Sequence, residues 1–372
     1  MLRVLHLITS LRVGGAERQL LTLLRAFDRD RIDHTVAVLQ SPGALESEVE
    51  ALDVPLVRLG HRRRNAARTI ARTRGLVQSR RIDVVHAHML LGADYARFAR
   101  IMGARARVVF TEHQQIEARS GRQRRLERFL RRWTALKITV SDAQREQVLR
   151  LEGYPPDTVT TIPNSVVSEE FLVPDGTREQ TREELGFDED AVVIGNVANH
   201  IEQKCLDRLI RGFDSVAAQD SRAHLLLVGD GDLHASLRGL ASSTRHGGRI
   251  HFVGRRRDVP RVLAAMDVFA TTSRWEGMPI NLLEAMTSGL PSVNMAVGGI
   301  PSVITHDREG LLVDEGDEVA LSEALLSLVV DPDHRRALGE RARERALTDH
   351  SASVNVERLA AIYARLKNGE AR

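Results

Sequence analysis

Two glutamates, Glu276 and Glu284, lie eight positions apart around the turn Gly277-Met278-Pro279. An apolar run at residues 267–272 precedes the turn, and a second apolar run, ending at Gly289, follows it. The first reads as a buried strand and the second as a helix. Pro279 suits the first helical turn, where its missing N–H costs nothing, and Gly289 suits the C-terminal end. Glu276 is then expected in the loop at the mouth of a strand, with Glu284 one or two turns inside the helix. Unpaired amides at such a helix start attract an anion, and carboxylates beside it can hold hydroxyl groups. A nucleotide-sugar, a diphosphate next to a polyol, offers both. Glutamates at this spacing also describe an ordinary solvated helix face.

The other chemistry-bearing residues also follow apolar runs, as expected where open α/β sheets bind ligands outside the carboxyl ends of their strands. Residues 4–8 lead into Ser10-Leu11-Arg12-Val13-Gly14-Gly15-Ala16-Glu17-Arg18. Paired glycines there allow close backbone approach, and the helix start that follows supplies amides for an anion. Histidines end two further runs, as His86 and His88 in Val84-Val85-His86-Ala87-His88 and as His113 in Phe110-Thr111-Glu112-His113. His86 and His88 share a strand face, and with His113 on a neighbouring strand they could hold a metal. No cysteine or acidic cluster completes such a set, so no metal is expected and His86 reads as a satisfied core histidine. Lys204 follows the run at 192–197 and is one of only three lysines among 53 cations, with Lys137 and Lys367. A compact ammonium suits a phosphate.

These residues need two sheets to position them. The strand candidates are residues 4–8, 35–39, 56–59, 83–88, 108–111, 138–140 and 159–162, then 192–197, 224–228, 250–253, 268–271, 292–295 and 311–313. Runs apolar on both faces, each followed by a helical pattern, indicate parallel sheets covered on both sides. A charged stretch at 174–184 separates two such sets, giving two doubly wound domains, 1–172 and 173–350. The terminal segment 351–372 has Val354, Val356, Leu359, Ile362, Tyr363 and Leu366 near helical spacing and is expected to join the first domain, although capping the second is an equal reading. At 372 residues the chain accommodates two ordinary domains.

Composition narrows the setting. The single cysteine, Cys205, excludes an internal disulfide and fits a reducing compartment. No apolar stretch approaches the roughly 20 residues that cross a bilayer, and residues 4–8 are too short for a secretory segment. A cytoplasmic protein, peripheral on the inner membrane face, is the expectation. Residues 1–175 carry 29 Lys and Arg against 20 Asp and Glu, and the remainder 24 against 30. The basic first half suits an anionic partner. Arg62, Arg63, Arg64, Arg68, Arg72 and Arg74 form one patch, and residues 119–132 form another, with Leu126, Phe129, Leu130 and Trp133 at helical spacing. A basic amphipathic helix can lie on an anionic membrane; the alternative is a solvated helix with an ordinary buried stripe. Aromatic residues are only 4 % and no nucleic-acid module is recognisable, so nucleic acid is not expected as a partner.

The run Thr271 to Pro291 resembles the Glu-x7-Glu segment of family 4 glycosyltransferases, retaining enzymes of the GT-B fold, sharing Ser273, Gly277, Pro279, Ala285, Gly289 and Pro291. Gly14-Gly15-Ala16-Glu17-Arg18, Thr161-Ile162-Pro163-Asn164-Ser165-Val166, Val228-Gly229-Asp230-Gly231, Phe252-Val253-Gly254-Arg255 and Val297-Gly298-Gly299-Ile300-Pro301 are similar to further motifs of that family. The resemblance implies two Rossmann-like domains facing across a cleft. It implies transfer of a hexose-type sugar from a UDP- or GDP-sugar donor to a glycan or lipid-linked acceptor, in cell-envelope or polysaccharide synthesis, without a metal or other cofactor. It assigns Glu276, His113 and Lys204 to catalysis. It assigns Gly14, Gly15, Asn199, Lys204, Gly254, Arg255, Gly277, Met278, Pro279, Ile280 and Glu284 to the donor, and His88 and Asn164 to the acceptor side. Three positions depart from the family pattern: Ser165 and Cys205 stand in place of glycine, and Asn199 in place of arginine. Arg12, Arg255 or Arg274 would have to supply the missing charge. The departures keep open a non-catalytic or weakly active nucleotide-sugar-binding protein, which a binding and turnover assay separates from a transferase. A nucleotide-sugar epimerase on the same fold would show activity without an acceptor.

Overall fold

The computed structural model describes residues 1–40, 43–60, 65–113, 116–117 and 119–369, so Arg62, Arg63 and Arg64 of the first basic patch lie outside the described residues. Val-, Leu- and Ile-rich runs without polar alternation form strands wherever both sheet faces are covered, and two sheets result. The first unit, Met1–Val167 with Ala352–Arg372, is built on seven strands. These are β1 (Leu2–Ile8), β2 (Ile32–Val38), β3 (Leu56–Arg58), β4 (Val84–His88), β5 (Arg107–Glu112), β6 (Leu136–Thr139) and β7 (Val159–Thr161). They pair in parallel in the order β3-β2-β1-β4-β5-β6-β7.

The second unit, Ser168–Ser351, holds β8 (Val192–Val197), β9 (Ala223–Val228), β10 (Ile250–Gly254), β11 (Val268–Thr271), β12 (Ser292–Met295) and β13 (Leu311–Val313). Their parallel order is β10-β9-β8-β11-β12-β13. Each sheet reverses its strand order once, between β1 and β4 and between β8 and β11. Ligands of doubly wound sheets lie at such reversals, so the loops after these four strands are the places to look.

The seam between the units falls after Val167, earlier than the 172/173 boundary expected. The short helix Ser168–Phe171 packs within the second unit, against the helix Ile280–Thr287. The terminal helix Ala352–Lys367 belongs to the first unit, where Val356, Leu359, Ile362, Tyr363 and Leu366 pack on Val4, Phe27, Val84 and Val109.

Behind β5 and β6 the first unit buries an ion network. Arg97 and Lys137 are both fully buried. Arg97 donates to both Glu127 oxygens at 2.8 and 2.9 Å, and Lys137 Nζ lies 2.5 Å from Glu152 Oε2. Arg119, expected on a basic surface, is instead buried between Glu112 and Glu152. Desolvation on this scale is tolerable only because each charge has several partners. The network fixes Glu112, the residue immediately before His113.

Candidate active site

In the second unit, β8 and β11 are neighbours, so the loops leaving their carboxyl ends lie side by side. The β8 loop carries Lys204 and the β11 loop carries Glu276. Thr272 ties them together, its hydroxyl donating to the carbonyls of Lys204 and Cys205 at 3.0 Å each. Gln203 adds a second tie: its side-chain amide donates to the Trp275 carbonyl at 2.9 Å, and its own carbonyl accepts from the Arg274 amide at 3.0 Å. The result is a contact that spacing alone does not disclose. Lys204 Nζ lies 2.5 Å from Glu276 Oε1. The Ser273 hydroxyl donates to the same oxygen at 2.7 Å, and Gln203 reaches Oε2 at 3.5 Å. Glu276 is 7 % exposed, so this carboxylate is not a solvated surface group.

The helix after the turn is Ile280–Thr287, and Pro279 is its N-cap residue rather than part of its first turn. The cap has extended backbone, φ −73° and ψ 119°, which proline's fixed φ permits. Asn281 holds the helix start against β8, its side chain donating to the Val197 carbonyl at 2.7 Å while its Oδ1 accepts from the Leu282 amide at 3.0 Å. With the Leu282 amide taken by Asn281 and that of Leu283 by the Pro279 carbonyl, the amides of Ile280 and Asn281, which follow Gly277 and Met278 in the chain, are the ones without an intrahelical acceptor. Glu284 sits half-buried on this helix, just over one turn from its start.

Two glycine turns pack against these loops. Gly298 has φ +57°, and a Cβ there would lie 1.8 Å from the Glu276 carbonyl oxygen. Gly298→Ala is therefore expected to destabilise the unit by at least the roughly 1–2 kcal/mol cost of a left-handed non-glycine residue, and to displace Glu276. A thermal melt and a turnover assay on the same preparation check both effects. Gly229, at φ +137°, similarly lets its turn close on Ala198, where a Cβ would meet the carbonyl at 1.8 Å. That packing fixes the loop bearing Asn199. Gly254 has φ +68° and accepts the Gly229 amide through its carbonyl at 2.8 Å. Arg255 is 62 % exposed, 3.9 Å from Asp230. Arg274 lies 3.6 Å from Glu202. Cys205, where the family pattern has glycine, adopts φ +45° and ψ 44°. The glycine preference thus has a backbone reason, and this chain places a buried cysteine in a conformation costly for an L-residue.

In the first unit, His88 ends β4 and His113 follows β5. Both belong to a buried stack that sequence reasoning saw only in part. His34 Nδ1 and His6 Nε2 share a hydrogen bond at 3.0 Å, and His6 Nδ1 and His88 Nε2 share another at 3.2 Å. His86 is the satisfied core histidine expected, 2.5 Å from the Tyr363 hydroxyl and 2.6 Å from Thr111. The trio whose nitrogens converge within 4.8 Å is His6, His86 and His88, with His6 in place of His113. Both nitrogens of His6 and of His86 are already hydrogen-bonded.

Burial lowers the pKa of each: His34 and His113 to about 4, His86 to about 3, and His6 and His88 well below the ordinary value. A histidine depressed in the folded state binds its proton more readily when unfolded. Stability is therefore fully present at neutral pH and is lost progressively as pH falls below about 6.5 toward the depressed folded values. Denaturant unfolding of the first unit between pH 7.5 and 4.5 is expected to show this decline.

Gly14 is the N-cap of the helix Gly15–Ala26, as an anion site requires. The Glu17 carboxylate, however, leans over that same helix start, its Oε2 2.5 Å from where a Gly14 Cβ would stand; burial raises its pKa. Asn164 is buried. Beside it Ser165 pairs twice with Gln19, the hydroxyl accepting at 3.0 Å and the amide donating at 3.1 Å, which gives the serine a role a glycine could not fill.

Two doubly wound parallel sheets make this a GT-B fold, and at one strand-order reversal Lys204 and the buried Glu276 meet beside the helix Ile280–Thr287. The Glycosyl transferases group 1 family matches residues 177–345, and Glycosyltransferase Family 4 matches residues 13–170. The chain belongs to the family 4 glycosyltransferases. It is 26 % identical to an N-acetyl-alpha-D-glucosaminyl L-malate synthase of Bacillus anthracis, over 77 % of this chain and 76 % of that protein. It is 24 % identical to a UDP-Gal:alpha-D-GlcNAc-diphosphoundecaprenol alpha-1,3-galactosyltransferase of Escherichia coli, over 77 % and 76 %. Its fold matches that of Anabaena HepE, solved in complex with UDP-glucose, with a TM-score of 0.88 at 22 % identity, covering 98 % of this chain and 100 % of the other.

Proposed function

We propose that this glycosyltransferase moves a hexose-type sugar from a UDP- or GDP-sugar to a glycan or lipid-linked acceptor of the cell envelope, retaining the anomeric configuration and using no metal ion. The observation that carries the reading is the Lys204–Glu276 contact at 2.5 Å beside the start of the helix Ile280–Thr287. As the bond from the anomeric carbon to the diphosphate breaks, charge grows on the leaving group. Lys204 and the helix-start amides stabilise it there, which spares the reaction a divalent cation. Glu276 orients the transferred sugar and offsets positive charge developing on its ring. Glu284 accepts from the ribose hydroxyls. His113 contributes to the sugar side and His88 and Asn164 to the acceptor side, as the family resemblance assigns them.

Lys204 is engaged by Glu276. An incoming diphosphate therefore competes with that carboxylate for the ammonium, and its arrival frees Glu276 to meet the sugar. Donor binding and carboxylate release are one event. An anionic membrane surface on its inner face is the further partner; among the described residues no helix is long and apolar enough to cross a membrane. A thermal-shift panel of UDP- and GDP-sugars, with and without EDTA, tests the donor reading. Stabilisation by one nucleotide class, unaffected by EDTA, is expected, and no response to any nucleotide-sugar would overturn it.

A further inference from the structure

Three buried histidines of the first unit form a single hydrogen-bonded line across neighbouring strands: His34 on β2, His6 on β1 and His88 at the end of β4. Strand register makes the line diagonal. His34 is level with Val4, two residues before His6, and His6 is level with His86, two residues before His88. The line therefore runs from the carboxyl end of the sheet, where the strand order reverses between β1 and β4, back towards the amino end of β2. Ring centroids along it are 5.2 and 5.5 Å apart, with the planes inclined by only 27° and 26°.

Packing alone does not call for such a line. Apolar side chains at these positions would fill the space without desolvating a polar ring. Each end moreover carries a buried nitrogen with no hydrogen-bond partner among the described residues, Nδ1 of His88 and Nε2 of His34. Met89, directly after His88, is held at φ +63°, a strained conformation for a non-glycine residue and one that clusters at functional sites. His86, by contrast, uses both nitrogens on Thr111 and Tyr363 and stands outside the line.

Burial keeps the three rings neutral at pH 7, so each holds one proton, donates through one nitrogen and accepts at the other. Two hydrogen bonds among three neutral rings then allow only two arrangements. Either all three carry the proton on Nε2, or all three carry it on Nδ1. A proton taken up at His88 Nδ1 converts the first arrangement into the second and expels the Nε2 proton of His34. His34 is the better exit, being 5 % exposed where His6 is 0 % and His88 is 1 %.

We propose that His88, His6 and His34 relay the proton of the acceptor hydroxyl away from the acceptor during sugar transfer. The acceptor oxygen forms its bond to the anomeric carbon, and the diphosphate leaves with its bonding pair. The acceptor O–H bond breaks in the same step, its proton passing to His88 Nδ1. His88 gives its Nε2 proton to His6 Nδ1, His6 gives its own to His34 Nδ1, and His34 releases its Nε2 proton to water. After product release the reverse pass resets the line: His34 Nε2 takes a proton from water, and His88 Nδ1 returns one to water at the emptied acceptor position. His88 touches the reacting hydroxyl; His6 and His34 are positioning residues that act through it. The inference deepens the acceptor-side role of His88 given above and rests on it.

Nitrogen-15 NMR of the histidines in the full chain, at neutral pH and without substrate, tests the line itself. One shared tautomer population for His34, His6 and His88, with no ring doubly protonated, is expected; mixed tautomers among the three would overturn the proposal. Turnover of UDP-glucose and GDP-mannose, with water standing for the acceptor, tests the transfer. His34→Asn keeps a hydrogen bond to His6 but does not pass a proton on. It should lower kcat by about 10²-fold, the low end of what general acid–base help supplies, with donor KM and melting temperature unchanged. The solvent deuterium isotope effect should fall from that of several protons in motion to that of one. Turnover and isotope effect equal to the wild type would overturn the relay and assign the proton to the leaving diphosphate. So would one equivalent of zinc(II) bound by the wild type and lost in His6→Asn, since that outcome makes these rings metal ligands. The thermal shift with a nucleotide-sugar does not involve the line, so a protein that keeps it while failing these tests loses the relay and not the donor site.

Discussion

Glu276→Ala is expected to lower turnover by about 10²–10³-fold, the scale on which loss of one preorganised electrostatic group acts in a water-excluded site. The same substitution should tighten, not weaken, the binding of free UDP. In the wild type Glu276 holds Lys204 at 2.5 Å, and any diphosphate must displace it. Removing the carboxylate leaves the ammonium available and takes a negative charge from beside an anion. Glu276→Gln keeps the volume and the contacts with Ser273 and Gln203, so it isolates the charge from the packing. Steady-state rates with the donor named by the thermal-shift panel, and UDP titration of the same variants, check the two halves. A merely structural role for Glu276 would move both in the unfavourable direction.

Lys204→Ala is expected to lower turnover by a similar factor but to weaken UDP binding. It removes the charge that stabilises the leaving diphosphate and leaves Glu276, 7 % exposed, without its counter-ion. A buried carboxylate stripped of its partner is costly, so some loss of stability in the second unit accompanies the kinetic effect. Lys204→Arg separates charge from shape: an arginine keeps the positive charge but not the compact ammonium that Glu276 holds, and it should recover only part of the rate. Opposite effects on UDP affinity from two substitutions that both lower turnover are the signature of competition for one ammonium.

The fold was legible in the sequence because parallel strands covered on both faces are continuous apolar runs, and each of the thirteen strands among the described residues begins and ends close to such a run. The site was legible only where it is local. Glu276, the glycines and Glu284 lie on one stretch of chain. The Lys204–Glu276 contact joins residues 72 positions apart and exists only because β8 and β11 are neighbours, which no spacing announces. Ser273, three residues before Glu276, and Gln203, next to Lys204, carried a signal in their adjacency; their hydrogen bonds did not. His6 and His34 were invisible as partners of His88 because a histidine within a short apolar run reads as a tolerated core residue until its strand neighbours are known. Arg119 misled for the reverse reason. It stands in an arginine-rich stretch, yet a buried pair of glutamates brought together from β5 and from Glu152 draws it inside.

Titration of UDP into wild type, Lys204→Ala and Glu276→Gln tests most directly whether the diphosphate and Glu276 contend for one lysine. Measurable affinity in the wild type, a tenfold or greater loss in the first variant and a gain in the second are expected, since each tenfold step corresponds to about 1.4 kcal/mol. Indistinguishable affinities across the three proteins would contradict the assignment of Lys204 to the diphosphate.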